Sequence, residues 1–239
     1  MKALILNSGI GKRMGPLTKE RPKCLIEITA GTTILSHQID LLLACGIDEF
    51  VITVGPFDAM VREYIDGRYG NLNVSFVLNS EYATTNYIYS MFLAEKYLND
   101  TLLLLHGDLV TEKSVCQKLL DHPAENAVIV DPGTPLPEKD FKGRIVKDMV
   151  MEIGTTLAGN DCVFLLPFYR LSCHGMTIWF EEIRRFIQSG LITVYAENAF
   201  NNCSDKIGLT PVSITHELCM EIDTAEDLHH AQRLLREDV

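Results

Sequence analysis

Asn7-Ser8-Gly9-Ile10-Gly11-Lys12-Arg13-Met14-Gly15-Pro16-Leu17-Thr18-Lys19-Glu20-Arg21-Pro22-Lys23 is the stretch from which the fold is read. It follows an apolar run, Ala3-Leu4-Ile5-Leu6, with the character of a buried parallel strand. Gly9, Gly11 and Gly15 let backbone N–H groups close on a ligand. Lys12, Arg13, Lys19, Arg21 and Lys23 match a polyanion, and a triphosphate is its natural form. Two generic phosphate motifs fail on spacing. A P-loop ends in Gly-Lys-Ser/Thr, but Gly9 is followed four residues later by Arg13. A dinucleotide fingerprint reads G-x-G-x-x-G, whereas these glycines read G-x-G-x-x-x-G. Pro16 and Pro22 also interrupt the helix that either motif requires next.

Outward from this stretch, strand-like runs recur at Ala3–Leu6, Phe50–Val54, Val74–Leu78, Leu102–His106 and Ala127–Asp131. Helical patterns lie between them. Ile34–Ala44 puts Leu35, Ile39, Leu42 and Leu43 on one face; Asn86–Leu98 is a second helix, and Glu112–Leu120 a third, opened by Thr111 as N-cap. This alternation predicts an α/β fold with a mostly parallel central sheet and helices on both faces. Ligands in such sheets bind at the carboxyl ends of strands, where the loops from Asn7, Asn79, Gly107-Asp108 and Asp131 begin. Past Asp131 the pattern weakens into a stiff loop, Pro132–Pro137, followed by the cations Lys142, Arg144 and Lys147. Short runs at Cys162–Tyr169 and Leu191–Tyr195 extend the sheet, with helices at Met176–Ile187 and Thr224–Leu235. Trp179, the only tryptophan, falls in a helix where core packing explains it. Residues 1–239 are expected to form one domain, with a nucleotide-binding half (1–131) and an acceptor-binding half (132–239).

The chain has 239 residues, 47% of them hydrophobic, enough to bury one good core. A formal net charge of −11 argues against nucleic acid or an anionic membrane as partner. It also makes local cations essential for holding a nucleotide. Seven scattered cysteines without a C-x-x-C pair suggest reduced thiols and a cytoplasmic protein. No apolar run reaches membrane-spanning length, and Met1-Lys2 leads straight into a strand without a signal-peptide core. A homo-oligomer or fusion to a further domain stays open.

Two segments offer hard oxygen ligands. Asp108 follows the apolar Leu102–Leu105 and Gly107, which lets the backbone pass close to a ligand. Asp223, in Glu221-Ile222-Asp223, precedes the last helix. One carboxylate from each, completed by phosphate oxygens and water, is a usual way to hold Mg²⁺. Each taken alone is as readily a turn residue or helix cap. His106 could also be a ligand, though such a residue is more often a packed strand-end histidine.

The string from Gly9 to Thr18, ending in Pro22-Lys23, resembles the signature of nucleotidyltransferases with a GT-A-like, Rossmann-like domain. These include sugar-1-phosphate nucleotidyltransferases and bacterial phosphocholine cytidylyltransferases of the LicC type. Glu221-Ile222-Asp223-Thr224-Ala225-Glu226-Asp227 resembles that family's C-terminal metal element, so Asp108 and Asp223 match both of its magnesium ligands. The resemblance implies transfer of a nucleotidyl group to an acceptor oxygen with loss of pyrophosphate. Arg13 would hold the β- and γ-phosphates, and Lys23 the α-phosphate and incoming oxygen. Leu6, Asn7, Ser8, Gly9, Ile10, Gly11 and Gly107 would contact the nucleotide. Asn7-Ser8 departs from the two alanines usual in the sugar enzymes, and those side chains serve either the ligand or the loop.

Asn79-Ser80-Glu81-Tyr82-Ala83-Thr84-Thr85-Asn86-Tyr87-Ile88-Tyr89-Ser90 resembles the segment that cradles cytosine in the choline-phosphate branch, which implies CTP as donor and Tyr82, Asn86 and Ser90 as base contacts. For the acceptor, the carboxylates Asp131 and Glu197 with Tyr195 suit a primary ammonium. Lys142, Arg144 and Lys147 suit its phosphonate. That combination looks like a 2-aminoethylphosphonate cytidylyltransferase. Phosphocholine is the alternative acceptor and sugar-1-phosphates a more distant one. Retention of Arg13, Lys23, Asp108 and Asp223 argues against a non-catalytic nucleotide-binding subunit, and the glycine spacing against a Rossmann oxidoreductase.

Overall fold

The computed structural model describes residues 1–237. Chain order is β1 (Lys2–Leu6), β2 (Glu27–Thr29), β3 (Thr32–Thr33), α1 (Ile34–Ala44), β4 (Glu49–Val54), α2 (Asp58–Tyr69), β5 (Asn73–Leu78), α3 (Tyr87–Ala94), β6 (Leu102–His106), β7 (Leu109–Thr111) and α4 (Lys113–Asp121). There follow β8 (Ala127–Asp131), β9 (Lys142–Val146), β10 (Met149–Gly154), β11 (Cys162–Leu171), α5 (Cys173–Gln188), α6 (Ala196–Asn201), α7 (Ser204–Ile207), β12 (Thr210–Ser213), β13 (Cys219–Glu221) and α8 (Ala225–Glu237). Between β1 and β2 the chain makes only 3₁₀ turns, at Lys12–Thr18 and Lys23–Leu25, as its prolines require.

The central sheet runs β10-β9-β11-β6-β1-β4-β5, with β8 and then β12 joined along β11. β6, β1, β4 and β5 are parallel to one another. β11 enters antiparallel to β6 and pairs antiparallel with both β8 and β9. With β12 parallel to β8 and β10 antiparallel to β9, only β10 and β11 run against the common direction.

The continuous apolar strands serve two cores at once. Successive side chains of a strand point to opposite faces. Leu4, Val51, Leu102 and Leu104 therefore join one cluster, with Ile88 and Met91 of α3 and Trp179 and Ile183 of α5. Ala3, Ile5, Phe50, Ile52, Leu103 and Leu105 join the other, with Leu35, Ile39 and Leu42 of α1, Val61 and Ile65 of α2, and Val115 and Leu119 of α4. Trp179 is fully buried and its indole N–H donates to the Ala196 carbonyl at 2.9 Å, so it belongs to the core.

A third, small core decides the site. Met14 of the cationic loop packs with Ile26, Ile28, Ile34 and Val110, and with Ile222, Leu228 and Ala231 from the chain's far end. The two-stranded pairing of β7 with β13, set by Leu109 opposite Glu221, brings the C-terminal segment beside the turn after β6. Ile222 N–H then donates to Asp108 O at 2.9 Å.

Two local expectations are corrected. Leu191–Tyr195 is not a strand: Leu191 N–H donates to Phe186 O, Asn86 N–H donates to Ile192 O, and Leu191 is exposed, so the segment is a connection into α6. Thr111 does not cap α4. It ends β7 with its hydroxyl donating to Leu218 O, and Glu112 stands at the N-cap.

At the turn after β6 only a glycine fits. A Cβ on Gly107 would lie 2.6 Å from Leu6 O and 1.8 Å from Asn7 Oδ1. Gly107→Ala is expected to destabilise the protein by about 1–3 kcal/mol through overpacking. Equilibrium urea unfolding measures it, and an unchanged midpoint would refute the close approach.

Candidate active site

The carboxyl ends of β1 and β6, the cationic loop, the Asn79–Tyr87 segment and the β13–α8 junction enclose a cavity of about 340 Å³, a volume typical of small-molecule sites. Its wall includes Leu6, Asn7, Ser8, Gly9, Gly11, Arg13, Lys23, Tyr82, Asn86, Gly107, Asp108, Tyr195 and Asp223. Residues expected from distant stretches of sequence therefore meet here.

The centre is an ion cluster. Lys23 Nζ lies 2.5 Å from Asp108 Oδ2 and 3.0 Å from Asp223 Oδ1. Arg13 Nη2 contacts that same Asp223 oxygen at 2.8 Å. The Lys23, Asp108 and Asp223 side chains are only 13–17% exposed, whereas Arg13 is 61% exposed and faces incoming ligand. Burial disfavours the Lys23 ammonium, but the charges of Asp108 and Asp223 outweigh it and raise its pKa above 10.5. Burial likewise pushes Asp108 up, and Lys23 and then His106 overcome it, leaving the carboxyl below 3.8. Gln38 braces the turn, its amide donating to both His106 O and Leu109 O at 2.8 Å.

A hydrogen-bonded histidine–carboxylate pair lies beside it. His106 Nδ1 is 3.1 Å from Glu221 Oε1. Burial raises the Glu221 carboxyl and the charge of Asp108 adds to it, while burial of His106 is outweighed by Glu221, so its imidazole is raised too. His106 is packed as expected, edge-on to Tyr87 at 4.8 Å between ring centres. It also lines the cavity, with Nε2 buried and unpartnered among the described residues. Tyr87 stacks on Tyr195 at 5.8 Å, and Phe141 stands edge-on to Tyr195 at 5.2 Å, so one wall is aromatic.

The donor set suits a hard divalent cation. Two carboxylates converge on one cationic centre, and Asp108 Oδ1 is buried without a partner among the described residues. One ligand atom each from His106, Asp108 and Glu221 also lie within 4.8 Å of one another. Glu221 was within reach of sequence reading, two residues before Asp223. Phe141 and Lys139, which also line the cavity, carried no signal beyond their residue types, and Tyr87 lay within the Asn79–Ser90 segment without an assigned role.

Several expected residues stand elsewhere. Ser90 is fully buried behind the wall, sharing a 2.6 Å hydrogen bond with Ser8 and accepting from Asn79 Nδ2 at 3.0 Å; it clasps the Asn79 loop to the end of β1. Ile10 is not among the lining residues. Asn86 lines the cavity while its Oδ1 accepts from Tyr87 N–H, capping α3. Of the acceptor set, only Tyr195 reaches the cavity. Asp131 is spent on its own loop, accepting from Gly133 N–H, Thr134 N–H and the Thr134 hydroxyl. Lys142 turns inward, its ammonium donating to the carbonyls of Glu138 and Thr155. Arg144 pairs with Glu152 and Asp161 across neighbouring strands. Lys147 occupies the β9–β10 turn with φ of 51°. Glu197 is buried and accepts from the phenols of Tyr87 and Tyr169.

The family model for the MobA-like NTP transferase domain matches residues 3–238, and the chain belongs to that family. CMP-5'-(3-aminopropyl)phosphonate synthase of Streptomyces rubellomurinus is 36% identical over 147 residues, 62% of this chain and 23% of that protein. CTP:phosphoglutamine cytidylyltransferase of Campylobacter jejuni is 31% identical over 55% of this chain and 53% of its own length. Choline-phosphate cytidylyltransferase of Streptococcus pneumoniae is 33% identical over 44% and 43%. The chain thus spans about half or less of the length of these relatives. Among solved structures, the inositol-1-phosphate CTP transferase from T. maritima shares the fold at a TM-score of 0.80 and 19% identity, covering 100% of this chain and 97% of that one. LicC from Streptococcus pneumoniae does so at 0.78 and 20%, covering 98% of each.

Lys23→Met would leave two buried carboxylates without their shared cation, at a cost of about 3 kcal/mol. The signs fix the pH window. Asp108, depressed in the folded protein, contributes above its ordinary 3.8 and loses that as pH falls through its folded value. Lys23, raised, contributes below its ordinary 10.5 and loses that as pH rises through its folded value. The wild-type advantage is therefore expected across about pH 4 to 10 and should shrink in acid; unfolding in EDTA at several pH values measures it.

Proposed function

We propose that this protein is a cytidylyltransferase that moves the cytidylyl group of CTP onto a phosphonate or phosphate oxygen of a small amine-bearing acceptor, first among them 2-aminoethylphosphonate. The observation that carries the reading is the convergence of Arg13, Lys23, Asp108 and Asp223 in one cavity facing the Asn79–Asn86 segment. CTP is supported by that segment's resemblance to the cytosine cradle and by the relatives named for CTP and CMP chemistry.

Both reactants are anions, so the barrier is their repulsion, and catalysis is mainly positioning and charge neutralisation. Asp108 and Asp223 would hold Mg²⁺, which when bound screens the phosphates as a Lewis acid. Arg13, exposed at the rim, would take the β- and γ-phosphates that leave as pyrophosphate. Lys23 would turn from the aspartates to the α-phosphate and the attacking oxygen. The acceptor oxygen forms its bond to the α-phosphorus as the bond to the β-phosphate oxygen breaks. A phosphonate is already largely ionised near neutrality, so no general base is needed.

For the acceptor, Lys139 offers a cation to the phosphonate, and Glu221 and Asp140 offer carboxylates to a primary ammonium; all three line the cavity. The aminopropylphosphonate synthase among the relatives supports this choice. A second reading, phosphocholine, is favoured by the aromatic wall of Tyr87, Phe141 and Tyr195, since ring faces attract a quaternary ammonium.

Pyrophosphate release with CTP, Mg²⁺ and a panel of acceptors tests both readings. Turnover with 2-aminoethylphosphonate is expected to exceed that with phosphocholine; the reverse order would replace the first acceptor with the second. Asp108→Ala should lower kcat at least ~100-fold, the scale of losing a central electrostatic contact. A near-normal rate in that variant would remove Asp108 from the mechanism.

A further inference from the structure

The segment that lines the cavity between β5 and α3 has no apolar anchor of its own. Residues 79–86 contribute to none of the three hydrophobic clusters, and Ser80, Glu81, Ala83 and Thr84 are exposed. Its shape therefore rests on hydrogen bonds, and these converge on the buried Asn79. Asn79 Oδ1 accepts from Glu81 N–H at 2.9 Å, while Nδ2 donates to Thr85 Oγ1 and to Ser90 Oγ, each at 3.0 Å. The Thr85 hydroxyl passes its own hydrogen to the Glu81 carbonyl at 2.8 Å. Both amide hydrogens and the oxygen of Asn79 are thus engaged by the protein.

Ser90 joins this network to a second element. Fully buried on α3, it accepts from Asn79 and shares a 2.6 Å hydrogen bond with Ser8 Oγ. Ser8 stands between the end of β1 and the glycines of the cationic loop. One hydroxyl therefore links the wall that carries Tyr82, Thr85 and Asn86 to the turn that leads into Arg13. An alanine at position 8 or 90 could not complete this link. Arg13 and Lys23 are held separately, by the aspartates. We infer that Ser90 is a positioning residue: without touching ligand, it fixes the spacing between the base-facing wall and the phosphate-facing turn. A site keeps its geometry only when such supporting groups are locked. The inference rests on the nucleotide reading above and adds to it what holds the two contacts in step.

Calorimetric binding of CTP and of inorganic tripolyphosphate, each with Mg²⁺, tests this without turnover. Ser90→Ala should weaken CTP about tenfold, the scale of one good hydrogen bond, and leave tripolyphosphate within about twofold of wild type. Ser8→Ala cuts the same bond from its other end, so adding it to Ser90→Ala should cost CTP nothing further. Unchanged CTP binding in Ser90→Ala would overturn the inference. So would equal weakening of both ligands, the mark of a merely structural role, or additive losses in the double variant. Wild type binding CTP no better than tripolyphosphate would strike the base-facing wall itself, and the inference with it. Preference for another nucleoside triphosphate would replace the base assignment only, because the ratio to tripolyphosphate is then read with that nucleotide.

Discussion

One ammonium held between two aspartates organises this molecule. Lys23 contacts Asp108 and, 200 residues away in sequence, Asp223. Buried carboxylates this close repel unless a cation stands between them. The β7–β13 pairing and the Met14–Ile222 core hold the two acids in place, so the apolar packing does the electrostatic assembly. Arg13 extends the arrangement outward to solvent. The site thus has a graded character, from a shielded interior cation to an exposed one.

That gradient matters in a chain whose formal charge is −11. The triphosphate of the proposed reaction would meet a repulsive global field and be drawn in only by local groups. The acids around the cavity set the opposite condition. Glu221 and His106 share a hydrogen bond, and Asp140 is raised by burial and by the nearby charges of Asp223 and Asp227. Cationic and anionic regions lie within one cavity, as the proposed joining of a polyanion to a zwitterion would require.

Legibility in the sequence followed the range of the interactions. The strands at the centre of the sheet are apolar on both faces, so their composition announces them, and the glycine–cation stretch after β1 carries its chemistry in its order. Asp108 and Asp223 were readable because each sits at a boundary where a strand run stops. α2 was not read: its buried face is little more than Val61 and Ile65, too sparse for a periodic signal. Lys142, Arg144 and Lys147 look alike as a string. A hairpin sends one inward to carbonyls, one into a cross-strand ion pair and one into the turn. Glu197 looked like a surface acid of an acceptor site. Its partners, Tyr87 and Tyr169, come from segments whose approach depends on the whole sheet being formed. The mixed character of the second half likewise comes from β11 entering antiparallel, which no local pattern encodes.

The small core around Met14, Ile222 and Leu228 has a temporal consequence. Closing long loops costs entropy before the contacts that reward it can form. During synthesis the glycine–cation stretch is made well ahead of its acidic partner, Lys23 preceding Asp223 by 200 residues. Until that last segment docks, a nascent chain carries Lys23 and Asp108 with half of their counterpart missing. The complete ion cluster therefore forms only after most of the sheet can already exist.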